Sequence, residues 1–342
     1  MLFTLNFERR DPMSDLIQDT PAALEWAEAA KKRHHTGKFG EIAPAVIWTD
    51  SRNVDGTLRV DVDPEKLAVQ INRDPFILLH NHDPGCPKGK LLESAYFESA
   101  TGRKFVAAVL GYYAGGDVLS FRGLGIDAGE VVPPPLALPL LPDDVRIQIG
   151  TDARAVDAEW LDQITHESPA RIERKNLSHN TAQSIQELIV IGLPYVVLVW
   201  NPFVKALATE AGKASYAGIH AWFRKLLTQM ADRRDPITDF HSNQNGCQIS
   251  FLFRGKDQKT LHAALEKLAG AATQAAELVS RLKALGMVSK QMVYEFDREA
   301  LLWSPSFVIL DDDRIITDTI ALISIENLPK GLSLGLTRSG SL

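Results

Sequence analysis

The chain has 342 residues, of which 45% are hydrophobic and 23% are charged, and its formal net charge is −6. This length favours two domains, and an acidic balance without a basic run or an aromatic-basic stripe argues against a nucleic-acid partner. The two cysteines, Cys86 and Cys247, lie far apart, which excludes a disulfide framework and a cysteine-rich zinc site and fits a reducing compartment.

The first 130 residues predict mostly strands. Thr20 and Pro21 begin a helix over residues 22–32, and Gly37 ends it. The following residues predict a hairpin over 45–62 around the turn 53–56, a helical turn at 63–67, and strands at 76–80, 90–98, 103–113 and 118–122. The strand at 103–113 is apolar on both faces, so we expect it in the middle of its sheet.

A change in composition follows this region. Residues 131–142 include five prolines in twelve residues and predict a stiff, extended connector. A strand at 145–149 and a helix at 157–164 come next, and the polar residues after them indicate a domain boundary. We therefore expect a β-rich domain over residues 14–165, a linker over 166–180 and a second domain over 181–330.

The second domain is predicted to be α+β. Its residues predict helices at 182–191, 203–230 and 257–285, and strands at 248–254, 292–296, 306–310 and 314–325. In the first of these strands, Ile249, Phe251 and Phe253 alternate as one buried face. Helices covering one face of a mostly antiparallel sheet are the simplest packing for this order of elements.

Neither a leader peptide nor a membrane span is expected. The most apolar stretch, residues 188–200, is 13 residues long and contains Gly192 and Pro194. A segment of this length is too short to cross a bilayer, so it predicts a buried core element. We expect a cytoplasmic protein.

Reactive side chains are concentrated in the run LHNHDP at residues 79–84, where an apolar strand ends. Side chains of an extended segment alternate, so we expect His80 and His82 to point to the same side. Two such imidazoles can bind a metal ion, or one can act as a general base while Asp83 orients it. A structural role, with His80 in the core and His82 in a loop, is the remaining interpretation.

The surrounding run FILLHNHDPGCPKGK at residues 76–90 resembles the bacteriophage prohead (head-maturation) protease family. Those proteins carry a strand that runs into an Asn-His-Asp loop, followed by a Pro-x-Gly-Lys or Pro-x-Gly-Arg step into the next strand. His82 falls on the family's catalytic histidine, and residues 87–90 match the step. The resemblance covers roughly residues 40–125 and implies a β-rich serine-protease fold with His82 as the base.

The family's nucleophile, a serine in a Ser-x-Gly-Phe setting, has no matching element here. Ser120, in the run LSFRG at residues 119–123, is the nearest candidate nucleophile, and Thr151 is a second candidate. Asp83 would orient His82, while His80 is expected in the core. The sequence leaves open both an active serine peptidase and a scaffold that has lost catalysis, and it implies no cofactor.

A second resemblance, to the JAMM-type zinc isopeptidases, rests on the His-x-His pair. That family needs an acidic ligand about eleven residues after the pair and an upstream glutamate, and Glu93 and Glu65 stand at such positions. Zinc would bind three such ligands and keep one site open for water. Lys90 stands where the family has a serine, and strands are predicted where it has a helix. The zinc hydrolase is therefore an alternative to the peptidase.

The second domain resembles the small ferredoxin-like α+β modules that accompany effector domains in bacterial conflict and phage-defence proteins. The resemblance rests on the strand 249–253, the helix 261–282 and the helix around 203–207. It implies an interaction domain that binds a protein partner or self-associates into a homo-oligomer. The leading hypothesis is a bacterial, prohead-protease-like protein with such a domain. A non-enzymatic assembly or sensing protein is the alternative.

Overall fold

The computed structural model describes residues 14–127, 145–153, 156–177, 187–199, 210–324 and 332–334. The described residues divide into two units. A smaller unit takes those within Met1–His80, Pro87–Asp117 and Ile323–Leu342, and a larger unit takes those within Asn81–Cys86 and Val118–Leu322. The proline-rich segment 131–142 lies outside the described residues.

The elements follow one another along the chain in a mixed order of helices and strands. The helices are α1 (Ser14–Gln18), α2 (Pro21–His34), α3 (Pro64–Arg73), α4 (Ala158–His166), α5 (Tyr195–Leu198), α6 (Glu210–Gln229), α7 (Gln258–Ala284) and α8 (Ile320–Ile323). The strands are β1 (Glu41–Thr49), β2 (Ile77–His80), β3 (Pro87–Glu98), β4 (Lys104–Tyr112), β5 (Val118–Leu119), β6 (Arg146–Thr151), β7 (Arg171–Asn176), β8 (Glu187–Gly192), β9 (Pro236–Gln244), β10 (Cys247–Arg254), β11 (Ser289–Asp297), β12 (Leu302–Leu310), β13 (Ile315–Ile316) and β14 (Leu332–Leu334).

The smaller unit is built on an antiparallel sheet with the strand order β1-β4-β3-β2-β14. The prediction that residues 103–113 form an internal strand is confirmed by β4. Its side chains alternate: Phe105 and Ala107 pack with the alanines of α2, and Ala108 and Leu110 pack with Ile71 of α3. Because adjacent side chains of a strand point to opposite faces, α2 and α3 cover opposite faces of this sheet.

The larger unit is built on a mixed sheet with the strand order β5-β13-β12-β11-β10-β9-β8-β6-β7. Besides β5 with β13, three pairs of neighbouring strands in it are parallel: β6 with β7, β8 with β9, and β10 with β11. Each pair has a helix between its strands in the sequence, as a parallel connection requires. The helices are α4, α6 and α7, and side chains from all three join one hydrophobic core.

Aromatic rings form the centre of that core. Phe240 of β9 lies between Phe223 of α6 and Phe253 of β10, with ring centroids 4.8 Å apart in each pair. Trp303 of β12 packs edge-on against Phe251 and donates its indole N–H to the carbonyl of Ala264 in α7. These contacts fix α6 and α7 on the same face of the sheet.

The division of the chain differs from the predicted one. The predicted boundary at 166–180 falls inside the larger unit, and the observed change of unit comes after Asp117. The predicted linker contains β7, an edge strand with the sequence RIERKN and with four of its six residues exposed. A strand that faces solvent on both sides needs no alternation of apolar residues, so its sequence reads as a linker.

Several predicted elements are also corrected. Residues 182–191 were expected to be helical, but 187–192 form β8, whose β-branched Ile189 and Ile191 are buried between β6 and β9. The hairpin over 45–62 is reduced to one bridge between Arg52 and Leu58. The strand predicted at 118–122 has two residues, and 314–325 contain β13 and α8. Strand β9 was not predicted.

Both helices and sheets are present, as expected for an α+β protein. Apart from the short helix α5, the succession β8-α6-β9-β10-α7-β11 agrees with the ferredoxin-like order of elements. The strand order does not, because β8 and β9 are direct neighbours, as are β10 and β11, whereas the ferredoxin-like fold splits each such pair. None of the helices among the described residues combines the length and the apolarity needed to cross a membrane.

Replacing Phe251 by alanine tests the aromatic core. Phe251 is fully buried and contacts Tyr294 and Trp303. We expect Phe251→Ala to lower the free energy of unfolding by about 3–5 kcal/mol, because it removes buried surface and leaves a cavity. Urea unfolding measures the loss. Val54→Ala, at a fully exposed position, is the control and is expected to change stability by less than about 0.5 kcal/mol.

Candidate functional site

The sequence-predicted site lies in a tight turn after β2. The strand ends at His80, and Asn81 and His82 both have left-handed backbones, with φ of 50° and 61°. The segment is therefore not extended, and the expectation that both imidazoles share one side fails for this reason. His80 is exposed, so its predicted place in the core is wrong, whereas His82 is buried with 6% of its surface exposed.

Asp83 is held by hydrogen bonds to both carboxylate oxygens. Arg254 donates from Nη2 to Oδ1 at 2.7 Å and from Nη1 to Oδ2 at 2.9 Å, which is a bidentate ion pair. The amide of Gly85 also donates to Oδ1 at 2.8 Å, and Cys86 Sγ lies 3.6 Å from Oδ2. These contacts account for the position of Asp83 without a catalytic role.

Arg254 joins Asp83 to a second carboxylate. Its Nε and Nη2 donate to Glu295 of β11 at 3.0 and 2.8 Å. Burial alone would lower the pKa of Arg254, but the hydrogen bonds and charges of Glu295 and Asp83 raise it above its ordinary value. The guanidinium group is therefore a permanent cation between two carboxylates.

Gly85 allows the turn to approach this ion pair. A Cβ atom at this position would lie 2.2 Å from both Arg254 Nη2 and Glu295 Oε1 and 3.0 Å from a methyl group of Leu252. A side chain at residue 85 would force these groups apart. The turn 81–86 is thus docked on the ends of β10 and β11 through the backbone of Gly85 and the carboxylate of Asp83.

Ser120, the candidate nucleophile, has a local structural contact. Its Oγ accepts a hydrogen bond of 2.9 Å from the amide of Gly123, within the short 3₁₀ helix Arg122–Leu124. Among the described contacts, none joins this hydroxyl to His82. Thr151, the second candidate, is buried at the end of β6. The pairing of Ser120 or Thr151 with His82 stays a prediction.

The acidic residues of the zinc alternative are also accounted for. Glu93 accepts hydrogen bonds from Trp26 Nε1, Arg33 Nη2 and His34 Nε2 at 3.2, 2.7 and 3.2 Å. Burial raises the pKa of Glu93, but the bonds from Arg33 and His34 outweigh this effect and lower it. Glu65 is exposed in the first turn of α3. Within the described ranges, no three His, Cys, Asp or Glu side chains are placed to hold a metal ion.

A second group of polar side chains, which the sequence analysis did not single out, lies in the larger sheet. Asp239 of β9 and Ser250 of β10 are 5% and 1% exposed, and Ser250 Oγ donates to Asp239 Oδ2 at 3.3 Å. Burial raises the pKa of Asp239 to about 7. Burial, with a contribution from the charge of Lys175, lowers the pKa of His241 to about 4. The alternation of Asp239 and His241 around Phe240 was the available signal, because it marks a strand with one polar face.

Comparisons of the chain with models of known protein families, with curated proteins and with solved structures find no match. The residues of the candidate site are therefore interpreted from their own geometry.

Arg254→Ala tests whether the turn depends on the ion pair. The substitution leaves Asp83 and Glu295 without their shared cation, and removal of one partner of a buried pair typically costs about 3–5 kcal/mol. Because the Arg254 side chain is 24% exposed, we expect a smaller loss of roughly 2–4 kcal/mol in urea unfolding. The exposed Arg59, replaced by alanine, is the control. Equal stabilities of the two variants would contradict a structural role for the pair.

Proposed function

We propose that this chain is a non-catalytic, prohead-protease-like protein that acts by binding protein. It keeps the strand, the Asn-His-Asp loop and the Pro-x-Gly-Lys step of the resemblance at residues 76–90. Its loop carboxylate serves as an anchor for the fold. The proposed setting is the cytoplasm of a bacterium, in assembly or sensing connected with phage defence.

The bidentate pair of Asp83 with Arg254 carries this proposal. A carboxylate that orients a catalytic histidine must accept a hydrogen bond from the imidazole and stabilise its charged form. Asp83 instead directs both oxygens to a guanidinium group that is already positive. Its negative charge is balanced before any imidazolium forms, so its contribution to a base at His82 would be small.

The position of Ser120 supports the same conclusion. A serine hydroxyl attacks a carbonyl group only when an aligned base removes its proton. The described hydrogen bond of Ser120 Oγ is with the Gly123 amide, and a Cβ atom at residue 123 would lie 2.7 Å from that oxygen. This contact gives the Ser120 hydroxyl a structural role in the turn. Protein binding is proposed from the resemblance of the strand 249–253 and the helix 261–282 to interaction modules in sequence and in element order, although the strand order of this sheet differs from theirs.

Labelling with a fluorophosphonate probe tests the absence of catalysis. We expect no labelling of the full chain above the level of Ser120→Ala, and no change in labelling with His82→Ala, because Ser120 Oγ is engaged with the Gly123 amide. Mass spectrometry of the probe adduct makes the measurement, and an active serine hydrolase in the same reaction is the positive control. Labelling of Ser120 that disappears in His82→Ala would establish a peptidase and overturn the proposal.

A further inference from the structure

Three polar side chains of the larger sheet lie together on the face opposite Phe240, Phe251 and the helices. Asp239 and His241 are two residues apart on β9, so their side chains share a face. Ser250 of β10 is in register with His241 and donates to Asp239 Oδ2. On the other side of β9, Gly192 of β8 is in register with His241, and a Cβ atom there would lie 3.1 Å from its Nε2.

Two atoms of this group are enclosed and have no hydrogen-bond partner among the residues that the structure describes: Asp239 Oδ1 and His241 Nδ1. A carboxylate oxygen that is buried without a donor costs several kcal/mol in its ionised form, and so does a buried imidazolium. Both costs are avoided when the carboxyl group of Asp239 is protonated and the imidazole of His241 is neutral, with no proton on Nδ1. The neutral pair is therefore the form that this arrangement favours.

We propose that Asp239 and His241 form a buried proton-binding pair, in which Asp239 holds the proton as a neutral carboxylic acid, His241 is a neutral imidazole, and Ser250 fixes the second carboxylate oxygen. On unfolding, each side chain returns to water, where at mildly acidic pH the carboxyl group loses its proton and the imidazole gains one. Folding thus exchanges an ionised pair for a neutral pair without changing the net charge.

Among the described residues, the charged groups that lie along the sheet on either side of the pair are Lys175, Arg254, Glu295 and Asp83. On β9 itself, the flanking Ile237 carries no charge. On the β8 side, Val190 is in register with Asp239, and beyond it lies Gly150 of β6 and then Lys175 of β7. Lys175 donates to Gln148, and its charge lowers the pKa of His241. On the β10 side, Leu252 is in register with Asp239, and the charged groups beyond it are Arg254, Glu295 and Asp83, which are paired with one another.

The two residues have opposite effects on the pH dependence of unfolding. The pKa of Asp239 is raised from 3.8 to about 7, so the stability that its proton confers is complete at low pH and is lost as the pH rises to about 7. The pKa of His241 is lowered from 6.5 to about 4, so the stability from its neutral form is complete above 6.5 and is lost as the pH falls to about 4. Between about pH 4 and 6.5 the two effects cancel.

Urea unfolding of the full chain between about pH 4.5 and 6.5 separates the effect of Asp239 from the effect of His241. In Asp239→Asn, His241 is the member of the pair that still titrates. We expect its protonation in the unfolded chain to raise the unfolding constant up to tenfold for each unit by which the pH falls. In His241→Gln only the carboxyl group titrates, and we expect the unfolding constant to rise up to tenfold per unit of rising pH. The ratio of the two constants should change by up to a hundredfold per pH unit, while the double variant should follow the wild type. Asp311→Asn, at an exposed carboxylate, is the matched control.

A ratio of the two unfolding constants that does not change with pH would overturn the proposal. Infrared spectroscopy of the folded protein gives a second test that does not depend on unfolding. At pH 5.5 we expect a carbonyl band of a protonated carboxyl group that is present in the wild type and in Asp311→Asn and is missing in Asp239→Asn. The same spectrum in all three proteins would show that Asp239 is ionised in the fold and would also overturn the proposal.

Discussion

In the larger unit, β9 and β10 carry two faces of opposite chemistry, and the alternation of side chains along a strand makes this division strict. Phe240, Phe251 and Phe253 point to α6 and α7. The residues that alternate with these phenylalanines along each strand must then point to the opposite face of the sheet. A shift of the register by one residue would place the aromatic rings on the polar face, so the aromatic core fixes the register and also the positions of the polar groups.

The fixed register also sets the position of Arg254 on the polar face. Arg254 at the end of β10 binds Asp83 and Glu295, and through Asp83 it positions the turn that follows β2. A bidentate guanidinium–carboxylate pair has a preferred planar geometry, so it sets the orientation of the turn as well as its distance from the sheet. The left-handed residues Asn81 and His82 are held in this way, because conformations of this kind persist only where neighbouring contacts enforce them.

Local patterns in the sequence were enough to predict β4, β10, α2 and α7, since each has a continuous apolar period or a capping residue. Strand β7 was missed because an exposed edge has no apolar period, and β8 was taken for a helix because the buried run of residues 188–191 is compatible with either structure. The position of the candidate site was predicted correctly as a loop after a buried strand. The ion pair of Asp83 was not predicted, because its partner Arg254 lies 171 residues away in the chain. Pairing over that distance depends on the tertiary fold and leaves no local pattern.

Asp83, in the turn after β2, and Asp239, in β9, show two solutions to the burial of a carboxyl group within the larger unit. An ionised carboxylate in a protein interior costs several kcal/mol unless charges or hydrogen bonds offset the lost hydration. For Asp83, a bidentate guanidinium group and a backbone amide supply the offset. For Asp239, a single serine hydroxyl is the described donor, and the shift of its pKa from 3.8 to about 7 corresponds to about 4 kcal/mol that favours the protonated form. The two carboxyl groups are buried to a similar extent but differ in the number and charge of their donors, and this difference fits one as an anchor of the fold and the other as a site for a proton.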